Sequence, residues 1–162
     1  MGAQSNRSAA CWAVFLIPSL DYYPIIRFAA VLSETGGART LFRLGEAGLL
    51  QLIVGSNVLR ECEEVVRRKA PASLPTLAYL LEVGMVEIAT QSPDDFIEQA
   101  KAIVAYGPDA YVLAEAISAE PDWFITHDKA HFSSANTGSS LTIRIGTPGH
   151  LIQALEDKFT QS

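Results

Sequence analysis

An α/β fold with a mainly parallel sheet is predicted by three features of the sequence. Short runs rich in β-branched and aromatic residues recur at 12–16, 50–54, 86–89, 123–126 and 141–145. Between them lie segments whose apolar residues repeat at helical spacing. Gly, Pro and small polar residues mark most of the joints. Strands that alternate with helices fold most readily as parallel βαβ units. The expectation is therefore a three-layer α/β/α sandwich around a mainly parallel central sheet. With 162 residues and no internal repeat, it is read as one domain over 11–160 behind a flexible tail at 1–10.

The elements follow in order. Residues 12–16 are strand-like, and 20–32 and 38–47 are helical, separated by Ser33-Glu34-Thr35-Gly36-Gly37. After the strand 50–54 comes a strong helix at 58–69, with Val58, Leu59, Cys62, Val65 and Val66 on its apolar stripe. Ala70-Pro71 breaks it, and a further helix spans about 74–82, with Pro75 tolerated in its first turn. A short strand at 86–89 leads to a helix at 93–105 opened by Ser92-Pro93. Another helix starts at Asp109. The strand 123–126 is followed by a helical turn at 128–132, a polar loop at 133–140 and a strand at 141–145. Thr147-Pro148-Gly149 introduces the last helix, 149–158.

Composition narrows the function. The chain is 49% hydrophobic with 8 Pro and 11 Gly, as expected of a globular protein. A net charge of −6 argues against a broad basic face gripping nucleic acid without specificity. It leaves room for an acidic cluster offset by metal ions. Cys11 and Cys62 have no metal or redox spacing and read as reduced core residues of a cytoplasmic protein. No apolar run reaches the ~18 residues of a membrane span, and 11–20 reads as a first strand rather than a signal peptide. His127, His131 and His150 lack zinc-site spacing, and no phosphate-loop, dinucleotide or nucleophile-elbow motif occurs.

The informative residues are acidic. Asp109 opens an apolar helix, and Asp128 follows a strand. Helix capping explains each of them singly. In an open parallel sheet, however, the edge after the strands is where ligands bind. Glu61 borders the apolar stripe of its helix. Glu63 and Glu64 have Arg67 and Arg68 at i+4, but Glu61 has Val65 there. Either Glu61 reaches solvent or something cationic meets it. Asp21 follows the first strand region and can also be read as a cap. His131 reads as a phosphate contact or as a packing residue.

These segments together resemble the PIN-domain family of metal-dependent ribonucleases. The run at 35–42 with the strand 50–54 and ValLeuArgGlu at 58–61 is similar to the family's second-strand region and helix acid. ProAspAlaTyrValLeuAlaGluAla at 108–116 resembles the pattern "P-x-D-A-x-[IV]-[LV]-A-A-A". PheIleThrHisAspLysAlaHisPhe at 124–132 resembles "[LV]-[VI]-T-x-D-x-x-H-F", and Thr147-Pro148-Gly149 resembles a closing "TPGEFL" segment. The resemblance spans roughly residues 12–158.

It implies an endoribonuclease acting on single-stranded RNA. Asp21, Glu61, Asp109 and Asp128 would be catalytic carboxylates holding Mg²⁺ or Mn²⁺, with Thr126 and His131 at the substrate. Toxin-type members of toxin–antitoxin systems imply an antitoxin protein partner and a homodimer. The first motif departs from the family's "[VIL]-x-x-D-[TSA]-[NS]-[VI]-[LF]". Anchored on Leu20-Asp21, Asp21 is the first acid, the preferred alignment. Anchored on the strand, Ile17 takes its place. Tyr22-Tyr23 also replaces a small polar pair. Two alternatives therefore stand beside the active nuclease: a catalytically impaired PIN-like RNA- or protein-binding domain, and a small α/β binding domain whose acids are all caps.

Overall fold

The computed structural model describes residues 12–16, 36–90, 92–105, 107–126, 141 and 143–161. It is a mixed α/β arrangement of parallel strand pairs. Its elements are β1 (Trp12–Leu16), α1 (Gly37–Glu46), β2 (Leu50–Gly55), α2 (Ser56–Lys69), a 3₁₀ turn (Pro71–Ser73) and α3 (Leu74–Val83). Then come β3 (Glu87–Ala89), α4 (Asp94–Ile103), α5 (Gly107–Ala119), β4 (Trp123–Ile125), β5 (Arg144–Gly146) and α6 (Pro148–Thr160). The expected helix at 20–32, the turn at 128–132 and the loop at 133–140 lie outside the described residues. So do the side chains Asp21, Asp128 and His131.

The strand order is β3-β2-β1-β4-β5, with every pairing parallel. β1 therefore lies between β2, in register Trp12↔Leu50, and β4, in register Val14↔Trp123. From β1 the chain builds outward through β2 to β3, then returns to the other side of β1 for β4 and β5. The direction of winding reverses between β1 and β4. In open α/β sheets that reversal opens a crevice at the carboxyl ends of the two strands.

Burial explains why these runs form strands. Trp123 and Ile125 belong to one core cluster with Leu50, Leu52, Leu41 and Leu151, whereas Phe124 belongs to the other. The second cluster joins Ile53 and Val54 of β2 to Val58, Cys62 and Val66 of α2 and Leu113 of α5. A strand covered on both sides needs a continuous apolar run, which 123–125 supplies. Gly45 and Gly84 permit a close approach at the ends of α1 and α3. A Cβ on Gly45 would lie 2.8 Å from Leu52 Cδ1 and 3.1 Å from the Gly84 carbonyl oxygen.

Most boundaries shift by a residue or two, and the largest differences lie at the β4–β5 edge. The last strand is Arg144–Gly146 rather than 141–145, because its register is set by three-residue β4. Leu141 and Ile143 instead pack, partly buried, against the core. Thr126 lies beyond β4, yet its N–H still donates to the Gly146 carbonyl at 2.9 Å. No helix among the described residues is long and apolar enough to cross a membrane.

Candidate functional site

β2 ends at Gly55 and α2 starts on the next residue, so the first turns of α2 stand at the carboxyl edge of the sheet. Asn57, Arg60 and Glu61 share one face of α2, at i, i+3 and i+4. On α5, Pro108, Tyr111, Val112 and Glu115 share a face in the same way. These two faces, with Ser92 after β3 and Asp94 and Ile97 of α4, line a cavity of about 570 Å³. Such a volume lies in the usual range of small-ligand sites, roughly 300–1,000 Å³.

Glu115 is the centre of the site. It is only 1% exposed. Its Oε1 accepts from Ser56 Oγ at 3.0 Å, the Asn57 backbone N–H at 3.2 Å and Asn57 Nδ2 at 3.0 Å. The start of α2 has no capping side chain of its own. Glu115 thus satisfies an orphan N–H of α2 from another helix, and its charge suits the positive end of the α2 dipole. Arg60 Nη2 donates to Asn57 Oδ1 at 3.2 Å, which fixes the orientation of that amide. Glu115 Oε2 and Ser92 Oγ are both buried and have no hydrogen-bond partner among the described residues.

The electrostatics follow from burial. Desolvation is the main cause holding Glu115 above the ordinary 4.5, against the three donors and Arg60, which pull it down. Glu61 is also raised, first by burial. Arg60 lowers it, while Glu64 and Glu115 raise it further. The Cys62 thiol is pushed up to about 12 by burial and by Glu61 and Glu63. It is buried and protonated, a packing residue rather than a nucleophile.

These shifts carry a sign for stability. A carboxyl whose folded value is raised holds its proton more tightly in the native state. Its contribution to stability is therefore fully present below pH 4.5 and is lost as pH rises from there through the raised value. Glu115→Gln should remove part of that decline. Urea unfolding between pH 4.5 and 7.5 should show the mutant gaining on wild type as pH rises. The opposite trend would mean that the charged form of Glu115 is the stabilising one.

Of the expected site residues, Glu61 lines the cavity, half-buried. Asp109 is half-buried in the first turn of α5. Its helix face is shared with Val112, Leu113 and Ala116, one position round from Pro108. Thr126 is 1% exposed, directly after β4, where the winding reverses. Among the described residues, no three His, Cys, Asp or Glu side chains form a metal-holding group.

Glu115 was absent from the expected set, though the sequence carried a signal. It is the one charge between Ala110 and Ile117, with Tyr111 at i−4 and Ala119 at i+4. It also stands where the family pattern has alanine. A lone, locally unpaired carboxylate on an apolar helix calls for a distant partner, here the start of α2. No family model, curated protein or solved structure matches the chain.

Proposed function

We propose that this protein is a PIN-like, Mg²⁺- or Mn²⁺-dependent endoribonuclease that cleaves single-stranded RNA, built as a three-layer α/β/α sandwich. The observation that carries the reading is the placement of Glu61. It projects from the helix that follows β2 into a cavity at the carboxyl edge of a parallel sheet, close enough to Glu115 for that carboxylate to add to the burial that raises its proton affinity. Asp109 lies in the first turn of α5, the helix that lines another wall of that cavity. The remaining two acids of the set, Asp21 and Asp128, follow β1 and β4 in the chain, the two strands at the reversal.

The donor chemistry fits a hard divalent cation. All the candidate ligands are carboxylate oxygens, and crowded carboxylates raise one another's proton affinity until positive charge arrives. Asp21, Glu61, Asp109 and Asp128 would hold the ion. When bound, it supplies charge neutralisation and polarises the phosphate and the attacking water. Thr126 and His131 would position the substrate strand. The biological setting that accords with this chemistry is the toxin half of a cytoplasmic toxin–antitoxin pair, a homodimer inhibited by its antitoxin.

The test combines cleavage with melting. Wild type should cut single-stranded RNA with Mn²⁺, and EDTA should stop it. Mn²⁺ should also raise the melting temperature, by about 2.7 kcal/mol of added stability at 100 times its Kd. The absence of both cleavage and a metal-dependent shift would sink the nuclease reading.

One observation favours a second reading. β1 spans Trp12–Leu16, and in the sequence Ile17 comes directly after it and Asp21 later. If Ile17 occupies the first acidic position, the protein is a catalytically impaired PIN-like RNA- or protein-binding domain. RNA binding without cleavage at any Mn²⁺ concentration is its signature.

A further inference from the structure

We propose that the cavity between α2, α4 and α5 is a nucleobase subsite for single-stranded RNA that favours cytosine and adenine and rejects uracil. The inference rests on the RNA reading above, but its test requires no cleavage.

The key group is the second oxygen of Glu115. Three donors occupy Oε1, so the carboxylate cannot rotate without losing them. Glu115 lines the cavity, and its Oε2 is a buried acceptor with no donor among the described residues. A buried acceptor in that state gains most from a ligand that brings an N–H. Ser92 lines the same cavity, and its Oγ is likewise buried and without a partner among the described residues. Its hydroxyl can rotate to donate or to accept.

The other walls suit a flat heterocycle. Tyr111 is 48% exposed and lies one helical turn before Glu115, so its ring borders the same opening. An exposed aromatic ring beside a polar pocket stacks bases whatever their sequence. Arg60 is exposed at the mouth, with one N–H directed at Asn57, and offers a guanidinium to a phosphate. Sequence preference must therefore come from the polar pair.

That pair has a polarity. Cytosine presents its N4 amine beside the N3 acceptor, and adenine its N6 amine beside the N1 acceptor. An amine meeting Glu115 Oε2 and a ring nitrogen accepting from Ser92 Oγ satisfy both orphan groups. Uracil shows the reverse, a carbonyl O4 beside an N3–H donor. It would set oxygen against a buried carboxylate and leave that carboxylate unpaired. Sites built to pair a buried polar group discriminate strongly against ligands that cannot pair it.

Glu115→Gln makes the inference sharp. The three donors at the Oε1 position select the amide oxygen, so the amide NH₂ must take the place of Oε2. An acceptor becomes a donor, and the preferred base edge inverts.

The experiment measures binding of fluorescein-labelled hexacytidylate and hexauridylate by anisotropy, in EDTA and at fixed salt. Wild type should bind the cytidine strand about tenfold more tightly, and Glu115→Gln should prefer the uridine strand. Tyr111→Ala, at an exposed position, should weaken both strands while keeping their ratio. It also tests the stacking wall should Glu115→Gln fail to fold. Cytidine 5′-monophosphate separates a strand from a free nucleotide. Weaker binding than the hexamer supports the RNA subsite, and equal binding overturns it. Equal affinity of wild type for the two strands, no binding of either, or an unchanged preference in folded Glu115→Gln also overturns it. If the preference holds in EDTA but Mn²⁺ elicits no cleavage, the nuclease falls and the subsite stands. Cleavage without base preference gives the converse.

Discussion

Glu61→Gln should abolish most Mn²⁺-dependent RNA cleavage, by on the order of 100-fold or more, while the protein melts no lower than wild type in metal-free buffer. The first half follows from its proposed role. Residues that merely support a metal ligand cost about 10–100-fold when changed, and a direct ligand should cost no less. The second half follows from its surroundings. Burial and the neighbouring carboxylates already raise the proton affinity of Glu61, so its charge is a burden on the native state without metal. An amide keeps the shape and removes that burden. The two halves together separate a ligand from a structural carboxylate, whose loss would lower the melting temperature. Asp128→Asn should behave in the same way. Initial rates with Mn²⁺ and melts with and without it decide the matter. A Glu61→Gln enzyme within threefold of wild type would remove Glu61 from the reaction.

The fold was largely legible because its strands and helices announce themselves locally. Val58, Cys62 and Val66 recur at i+4 and are all buried on α2. Trp123-Phe124-Ile125 is continuous because β4 contributes to both core clusters. The edge strand β5 was misplaced because its limits depend on how far β4 extends, a pairing that no local pattern encodes. The site was legible only in part. Glu61 stood out because no cation lies within a helical turn of it except exposed Arg60. Glu115 did not, because its partners Ser56 and Asn57 are more than fifty positions earlier in the chain. Its own helix shows that Glu115 lacks a local partner, but not which group elsewhere in the chain meets it. The choice between Asp21 and Ile17 is likewise a question of which residue leaves β1 toward the site, which spacing alone leaves open.

Phe124→Ala should destabilise the protein by about 3–5 kcal/mol, the cost usual for deleting a buried aromatic ring from a core. Phe124 is 0% exposed and, among the described residues, the largest of the fully buried side chains. It sits on β4 opposite Phe15 of β1 and Ile145 of β5, within the cluster that α2 and α5 share. Strands held in register on both sides cannot move inward to fill the void, so the cavity penalty adds to the lost burial. Against a typical total stability of about 5–15 kcal/mol, the loss is severe. For a chain of this length it corresponds to roughly 6–20 °C in melting temperature. Urea unfolding should show the midpoint falling at an unchanged slope. A loss below about 1 kcal/mol would mean that β4 is not held between β1 and β5 as described. This variant is also the counterpart of Glu61→Gln. Phe124 lies beneath α5, the helix that carries Asp109 and Glu115, but it donates nothing to the cavity. Assayed well below its melting temperature, Phe124→Ala should therefore keep most of its cleavage rate and its metal-dependent stabilisation, whereas Glu61→Gln loses cleavage and keeps its fold.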